Sequence, residues 1–231
     1  MDFFSGFIEL IKRGGPVMII LIVMSVIAVA IVIERLWFFS QQHGDSKALL
    51  RELGNKIAGD DIPAAIKVCR TNKGMLPRIL EFGLARGTKN RADITDALSI
   101  ALMENLNQLE RNLGVIGTVA VIAPFVGLLG TVLGIIRAFD DIALKGNSTP
   151  AVVAAGTSEA LVTTAAGLLV AVISVVFFNY FKTRIKAYNQ EMIVAANQLA
   201  EMLHFHNVGE PIPTDLYQPA PSARPAAAAA Q

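Results

Sequence analysis

The chain has 231 residues, a formal net charge of +1, 53% hydrophobic residues and 17% charged residues. That is too apolar for an ordinary soluble domain and fits a membrane protein with a modest water-exposed part. The balanced charge gives no reason to expect nucleic-acid binding, and a lone Cys69 excludes an intrachain disulfide scaffold.

Met1 to Arg13 sets Phe3, Phe4, Phe7, Ile8, Leu10 and Ile11 against Asp2, Glu9, Lys12 and Arg13. This predicts a short amphipathic helix (1–15) lying in the membrane interface, broken at Gly14, Gly15 and Pro16. Val17 to Ile33 is an uninterrupted apolar run, and 16–36 is the expected first span. Trp37, Phe38 and Phe39 after it suit a membrane–water boundary. A cleaved signal peptide is the rival reading, with Ala28-Val29-Ala30 as its site, but the apolar run continues past that site to Ile33.

Residues 40–92 read as a water-exposed set of short helices. Asp60 or Asp61 can cap a helix with Pro63 in its first turn. Gly74 breaks the chain, Pro77 sits early in the next helix, and Gly87 ends it. Asp93 is expected to cap a further helix. Leu98, Leu102, Leu106, Leu109 and Leu113 recur at helical spacing, and no stop signal separates them from the second apolar run. One continuous helix over 93–140, containing a span at 113–136, is therefore predicted. Pro124 is a candidate kink, and Gly127, Gly130 and Gly134 thin one side for close helix approach.

A loop over 141–154 leads to a second long helix over 155–206, with its span at 157–180. Small or hydroxylated residues crowd its start, including Thr163, Thr164 and Gly167, and Glu159 is its one acid. An acid inside a span is costly and normally faces a bundle interior or a water-filled path, unless it lies near the end and reaches the headgroups. Beyond the span, Phe181, Ile185, Tyr188, Met192, Ala195, Leu199 and Met202 alternate at fours and threes. That is a coiled-coil-like seam, for which the Leu98–Leu113 face is a candidate partner. His204 and His206 are two apart and read as solvated rather than metal-binding. The Pro/Ala tail, 207–231, is expected to be disordered. The fold class is thus an all-α membrane protein with three transmembrane helices, the second and third extended into long cytoplasmic helices, plus small cytoplasmic helices.

Glu34 to Arg111 and the chain after Phe181 together carry sixteen of the twenty Lys and Arg, which places both in the cytoplasm and the N-terminus in the periplasm. No phosphate loop, nucleophile elbow or metal-spaced histidine pair occurs, so no enzyme is expected. What stands out is polar content within the spans. Thr131 lies nine residues before the end of one span helix and Thr164 nine after the start of the next, each about 13 Å along. Hydroxyls at matching depth on adjacent antiparallel helices can form a polar ring in an oligomer, or each can bond back to a carbonyl of its own helix. Apart from Glu159, the apolar runs 17–33, 113–136 and 157–180 contain no Asp, Glu, His, Lys or Arg. A proton relay needs titratable groups along its path, so another protein or ordered water would have to complete one.

Asn112 to Phe139, NLGVIGTVAVIAPFVGLLGTVLGIIRAF, resembles the second span of the ExbB, TolQ and MotA proton-channel family. Gly156 to Phe181, GTSEALVTTAAGLLVAVISVVFFNYF, resembles its third, and the first span with its ERLWFF end fits too. The likeness covers roughly Pro16 to Leu203 and is nearest to the ExbB branch. It implies an inner-membrane homopentamer whose second and third spans line a pore. It implies a single-span, ExbD-like partner in that pore bringing a protonatable Asp, and a TonB-like protein driven by proton flow. No cofactor is implied beyond protons as coupling ion. Thr131, Thr164 and Glu159 match the family's pathway positions, with Thr163, Gly127, Gly130, Gly134 and Gly167 as pore packing. The Pro/Ala tail is not a family feature. TolQ-like or gliding-type motors use related subunits, and a passive oligomeric scaffold is the non-conducting alternative. An intramembrane hydrolase lacks any Ser-His or paired-Asp arrangement in the spans.

Overall fold

The computed structural model describes residues 15–42, 44–86, 90–145 and 150–217. The predicted N-terminal amphipathic helix, Gly87 and the tail from residue 218 lie outside the described residues. Those described are all-helical. The helices are α1 (Gly15–Ser40), α2 (Ser46–Ala58), α3 (Ile62–Thr71), α4 (Met75–Ala85), α5 (Arg91–Glu110), α6 (Leu113–Lys145) and α7 (Pro150–Val208), followed by a 3-10 turn at Thr214–Leu216. Three of them, α1, α6 and α7, are long and apolar enough to cross a membrane.

The chain divides into two compact units. One takes in the chain to Leu36 and Arg111–Thr183; the other takes in Trp37–Glu110 and the chain from Arg184. In the first, Leu21 and Ala28 of α1, Val119 and Ala123 of α6 and Ala171 of α7 form a buried cluster. Most large apolar side chains on these helices instead point outward: Val26, Phe125, Leu161 and Leu169 are all more than 60% exposed. A water-soluble domain buries such residues. Here the small residues pack inside and the large ones face outward, the arrangement of helices that meet closely and turn their bulk to lipid.

The second unit has the opposite pattern. Leu53, Ile57, Ile79, Leu80, Leu199 and Met202 are fully buried. The predicted seam on α7 is the buried stripe, with Ile185, Met192, Ala195, Leu199 and Met202 all inside. Its neighbours include α4 as well as the expected leucine face: a Cβ on Gly83 would lie 2.7 Å from Leu98 Cδ2 and 3.4 Å from Leu199 Cδ2. Asp61, not Asp60, caps α3, accepting from Ala64 N–H at 3.0 Å. Asp60 takes a left-handed turn at φ +59°.

Five expectations change. The helix predicted over 93–140 is two helices, broken at Arg111–Asn112, where Asn112 is left-handed at φ +61°. Its start is capped by Asn90, whose Oδ1 accepts from Ala92 N–H, rather than by Asp93, which falls in the first turn. The loop placed at 141–154 shrinks, since α6 reaches Lys145 and α7 starts at Pro150. The tail does not begin at 207: Val208 ends α7, and the chain then folds on to Tyr217, whose ring lies against Gly54 of α2. The cause is local, because Pro211 and Pro213 restrict the backbone and an aromatic ring has a flat glycine surface to cover. His206 is likewise not simply solvated; its Nε2 lies 3.3 Å from Asp60 Oδ1.

Candidate functional site

Helices α6 and α7 meet along a seam of small residues. On α6 these are Ala123, Gly127, Gly130, Gly134 and Ala138; on α7 they are Gly156, Ala160, Thr163, Gly167 and Ala171. Both sets follow the same spacing of four, three, four, four. A Cβ on Gly134 would lie 2.7 Å from Ala160 Cβ, one on Gly156 2.6 Å from Ala138 Cβ, and one on Gly167 2.6 Å from the Ala123 carbonyl oxygen. The helices are therefore antiparallel and close enough that backbone touches backbone. Small residues drive this, since lipid supplies no hydrophobic force to press two helices together.

The threonines sit at the middle of the seam. Thr163 is 2% exposed, and its hydroxyl donates to Ala160 O at 2.7 Å and Gly127 O at 3.3 Å. Thr164 is half-buried and donates to the same Gly127 carbonyl at 2.9 Å. One backbone oxygen thus receives two hydroxyls from the opposite helix. Thr131 is also half-buried, and its hydroxyl donates to Leu128 O of its own helix at 2.6 Å.

Of the two alternatives read from the sequence, Thr131 makes the bond within its helix; Thr164 bonds instead to a carbonyl of the neighbouring helix, which neither alternative named. Each hydroxyl uses its one proton in these bonds and can still act as an acceptor. Gly130 faces Thr163, and Thr131 and Thr164 each follow one of this pair, turned by about 100°. On antiparallel helices the same sense of rotation faces the same flank. The two lie within about 3 Å of the same level, counting residues from the Gly130–Thr163 and Gly134–Ala160 pairs at 1.5 Å each. Glu159 lies on α7 one turn before Thr163; its side chain is outside the described residues.

Gly127, Gly130, Gly134 and Gly167 all lie in the seam itself, so their place is helix packing. The structure adds polar groups that the sequence reading did not single out. Ser174 is 2% exposed and bonds back to Val170 O at 2.8 Å. Arg35 is 2% exposed inside α1 and pairs with Glu34 at 2.7 Å. The signal for Arg35 was its place next to an acid at the end of an apolar run, which reads equally well as a membrane boundary. No group of three or more His, Cys, Asp or Glu side chains stands close enough to hold a metal ion among the described residues.

Comparison with known proteins gives these helices a context. The sequence profile of the MotA/TolQ/ExbB proton channel family matches residues 71–193. A putative biopolymer transport protein ExbB-like 3 of Synechocystis is 34% identical over 174 residues, covering 74% of this chain and 82% of that protein. The Tol-Pal system protein TolQ of Haemophilus influenzae is 32% identical over 114 residues, covering 49% of this chain and 50% of that protein. Most of the first curated relatives are matched over about two-thirds of their length or less. Among solved structures, that of C. jejuni MotAB superposes with a TM-score of 0.58 at 19% identity, over 82% of this chain and 72% of that one, a likeness of fold. The profile spans more than half of the chain, over both threonine positions and the seam, and the chain belongs to the MotA/TolQ/ExbB proton channel family.

Proposed function

We propose that this chain is the channel-forming subunit of an ExbB–ExbD-like motor that uses the proton motive force to energise TonB-dependent outer-membrane transport. The observation that carries the reading is the pairing of Thr131 and Thr164 at one level and on one flank of a helix pair. Around them the pair has no Asp, Glu, His, Lys or Arg between Ala160 and Phe181 or between Leu113 and Ile136.

A hydroxyl both donates and accepts, so it can hand a proton along a water chain without holding a charge of its own. It cannot store the proton between steps; that needs a titratable group at mid-depth. Several copies of this chain, five by analogy with the ExbB branch, would supply a ring of hydroxyls. A single-span partner would supply the carboxyl group inside it. Glu159 would serve as the entry group nearer the end of α7. Thr163, tied into the seam by two carbonyls, holds the helices rather than the proton. On this reading the chain carries no active site and needs no cofactor.

The test uses the complex purified with its natural partner and placed in liposomes. Thr131→Trp and Thr164→Trp should abolish proton flux while the complex still assembles, and Thr164→Ser should retain it. Wild-type flux through assembled tryptophan variants would overturn the reading. A TolQ-like role is the second reading, favoured by the similarity to TolQ at nearly the identity of the ExbB-like relative. A deletion strain separates the two. Loss of iron-chelate uptake marks the first role, and leakage through a weakened outer membrane with uptake intact marks the second.

A further inference from the structure

One backbone oxygen in the seam has more donors than it can hold. Gly127 O accepts from Thr164 Oγ1 at 2.9 Å and from Thr163 Oγ1 at 3.3 Å. Its own helix already gives it a donor, the N–H of Thr131 four residues on. A carbonyl oxygen has two lone pairs, so one remains for two hydroxyls. The Thr163 hydroxyl is divided in turn. Its single proton is aimed mainly at Ala160 O, 2.7 Å away. The 3.3 Å leg to Gly127 O is longer than an ordinary O–H···O bond, as the weaker half of a shared proton should be. Ala160 O also keeps a donor of its own helix, the N–H of Thr164, and is not left bare if that proton turns.

The two threonines are not equally free. Thr163 is 2% exposed and packs on Gly130, where a Cβ would strike its hydroxyl oxygen. Thr164 is half-buried and lies towards the flank it shares with Thr131. To donate on that flank, Thr164 must let go of Gly127 O. Two oxygens 2.9 Å apart would then face each other with no proton between them, at a depth where no bulk water can step in. Leaving a buried acceptor short of its donor costs more than the bond itself was worth. Turning the Thr163 proton from Ala160 O to Gly127 O removes that cost. It takes rotation about one C–O bond, which a hydroxyl makes readily. We propose that Thr163 is a positioning residue for Thr164: its hydroxyl takes over the Gly127 carbonyl when Thr164 turns away to donate on the open flank. The gain for proton passage rests on the conduction reading above; the exchange at the carbonyl does not.

The exchange is read at the carbonyl itself, by solid-state NMR of the full-length complex in lipid. Glycine labelled at its carbonyl carbon and leucine labelled at its nitrogen together select Gly–Leu peptide bonds. The chain has three, at 83–84, 127–128 and 167–168, and Leu128→Ile identifies the Gly127 signal by removing it. Thr164→Val should move that signal little, because Thr163 fills the vacant place. In a Thr163→Ala background the same change should move it several times as far. Alanine suits a seam that already holds Ala123 and Ala160, and a Thr163→Ser background should behave as wild type. Equal shifts in the wild-type and Thr163→Ala backgrounds overturn the proposal. Proton flux through the same samples tests the consequence. Thr163→Ala should lower it roughly two- to tenfold, the worth of one hydrogen bond, and Thr163→Ser should keep it. Full flux in Thr163→Ala, with Thr164→Val inactive, overturns the positioning role. Full flux in Thr164→Val overturns the conduction reading instead, and the carbonyl shifts alone then decide the exchange.

Discussion

Gly167 has no room for a side chain. A Cβ there would sit 2.6 Å from the Ala123 carbonyl oxygen and 3.0 Å from Gly127 Cα, both backbone atoms that cannot turn aside. Gly167→Ala should therefore push α6 and α7 apart at the threonines, at a cost of about 1–3 kcal/mol for overpacking. Gly114→Ala is the control, since nothing lies within 4 Å of its Cβ. It should be neutral or stabilise by roughly 0.5–1 kcal/mol through the better helix former. Thermal unfolding of the two variants in the same detergent measures the contrast, and equal melting points would refute the tight seam.

Cys69 offers a second probe at this scale. It is 2% exposed, and burial, with Glu81 and Glu52 adding repulsion, pushes its thiol from 9.0 up to about 12. The thiolate is the reactive form, so a maleimide at pH 8 should label the native protein at least tenfold more slowly than the unfolded one. The linkage has a definite sign. The unfolded chain gives up this proton first, so the thiol's contribution to stability is whole below pH 9.0 and is lost as pH rises towards about 12. Denaturant midpoints for wild type and Cys69→Ala should accordingly converge between pH 9 and 11. A gap that stays constant would show that the thiol ionises freely in the folded state.

At the scale of elements, the spans and the α7 seam were legible because burial and lipid each impose a period or a length on the sequence. Val17 to Ile33 can do little else in water, and the stripe from Ile185 to Met202 faces one way on any straight helix. The break at Arg111–Asn112 was not legible. Leu98 to Leu113 keeps helical spacing straight through it, and neither residue is the Gly or Pro that marks most stops. The only local sign was an asparagine able to turn left-handed, and what holds that turn is Glu34, far away in sequence. The threonines show the same division. Their depth followed from counting residues, but which carbonyl each would find depended on how closely the glycines let the helices approach.

The start of α5 gives a prediction here. Asn90 is the cap and Asp93 only favours the helix dipole. Asn90→Ala should cost about 1 kcal/mol. Asp93→Ala, at an exposed position, should cost about 0.3 kcal/mol. A melting curve that ranks them the other way would return the cap to Asp93.

For the molecule as a whole, orientation in the membrane depends on charge, because the three helices able to span among the described residues put the two ends of the chain on opposite sides whichever way it is inserted. Charges near span ends decide the matter, and the three spans differ in how clearly they speak. The first is nearly balanced, with Lys12 and Arg13 on one side against Arg35, Lys47 and Arg51 on the other. The second sets Arg111 against Arg137 and Lys145, with Asp140 and Asp141 beside them. The third is decisive, since Lys182, Arg184 and Lys186 follow it closely and only Lys145 stands at its far end. The cluster after Phe181 should hold the C-terminus in the cytoplasm, and the odd number of spans then sends the N-terminus to the periplasm. A C-terminal alkaline phosphatase fusion should be inactive and a C-terminal green fluorescent protein fusion bright. Replacing Lys182, Arg184 and Lys186 together by Gln should let a fraction of molecules invert, so that phosphatase activity rises several-fold. If the triple variant keeps the wild-type orientation, the twelve Lys and Arg of the large segment before α6 hold the cytoplasmic side, and the first span, for all its near balance, sets the topology.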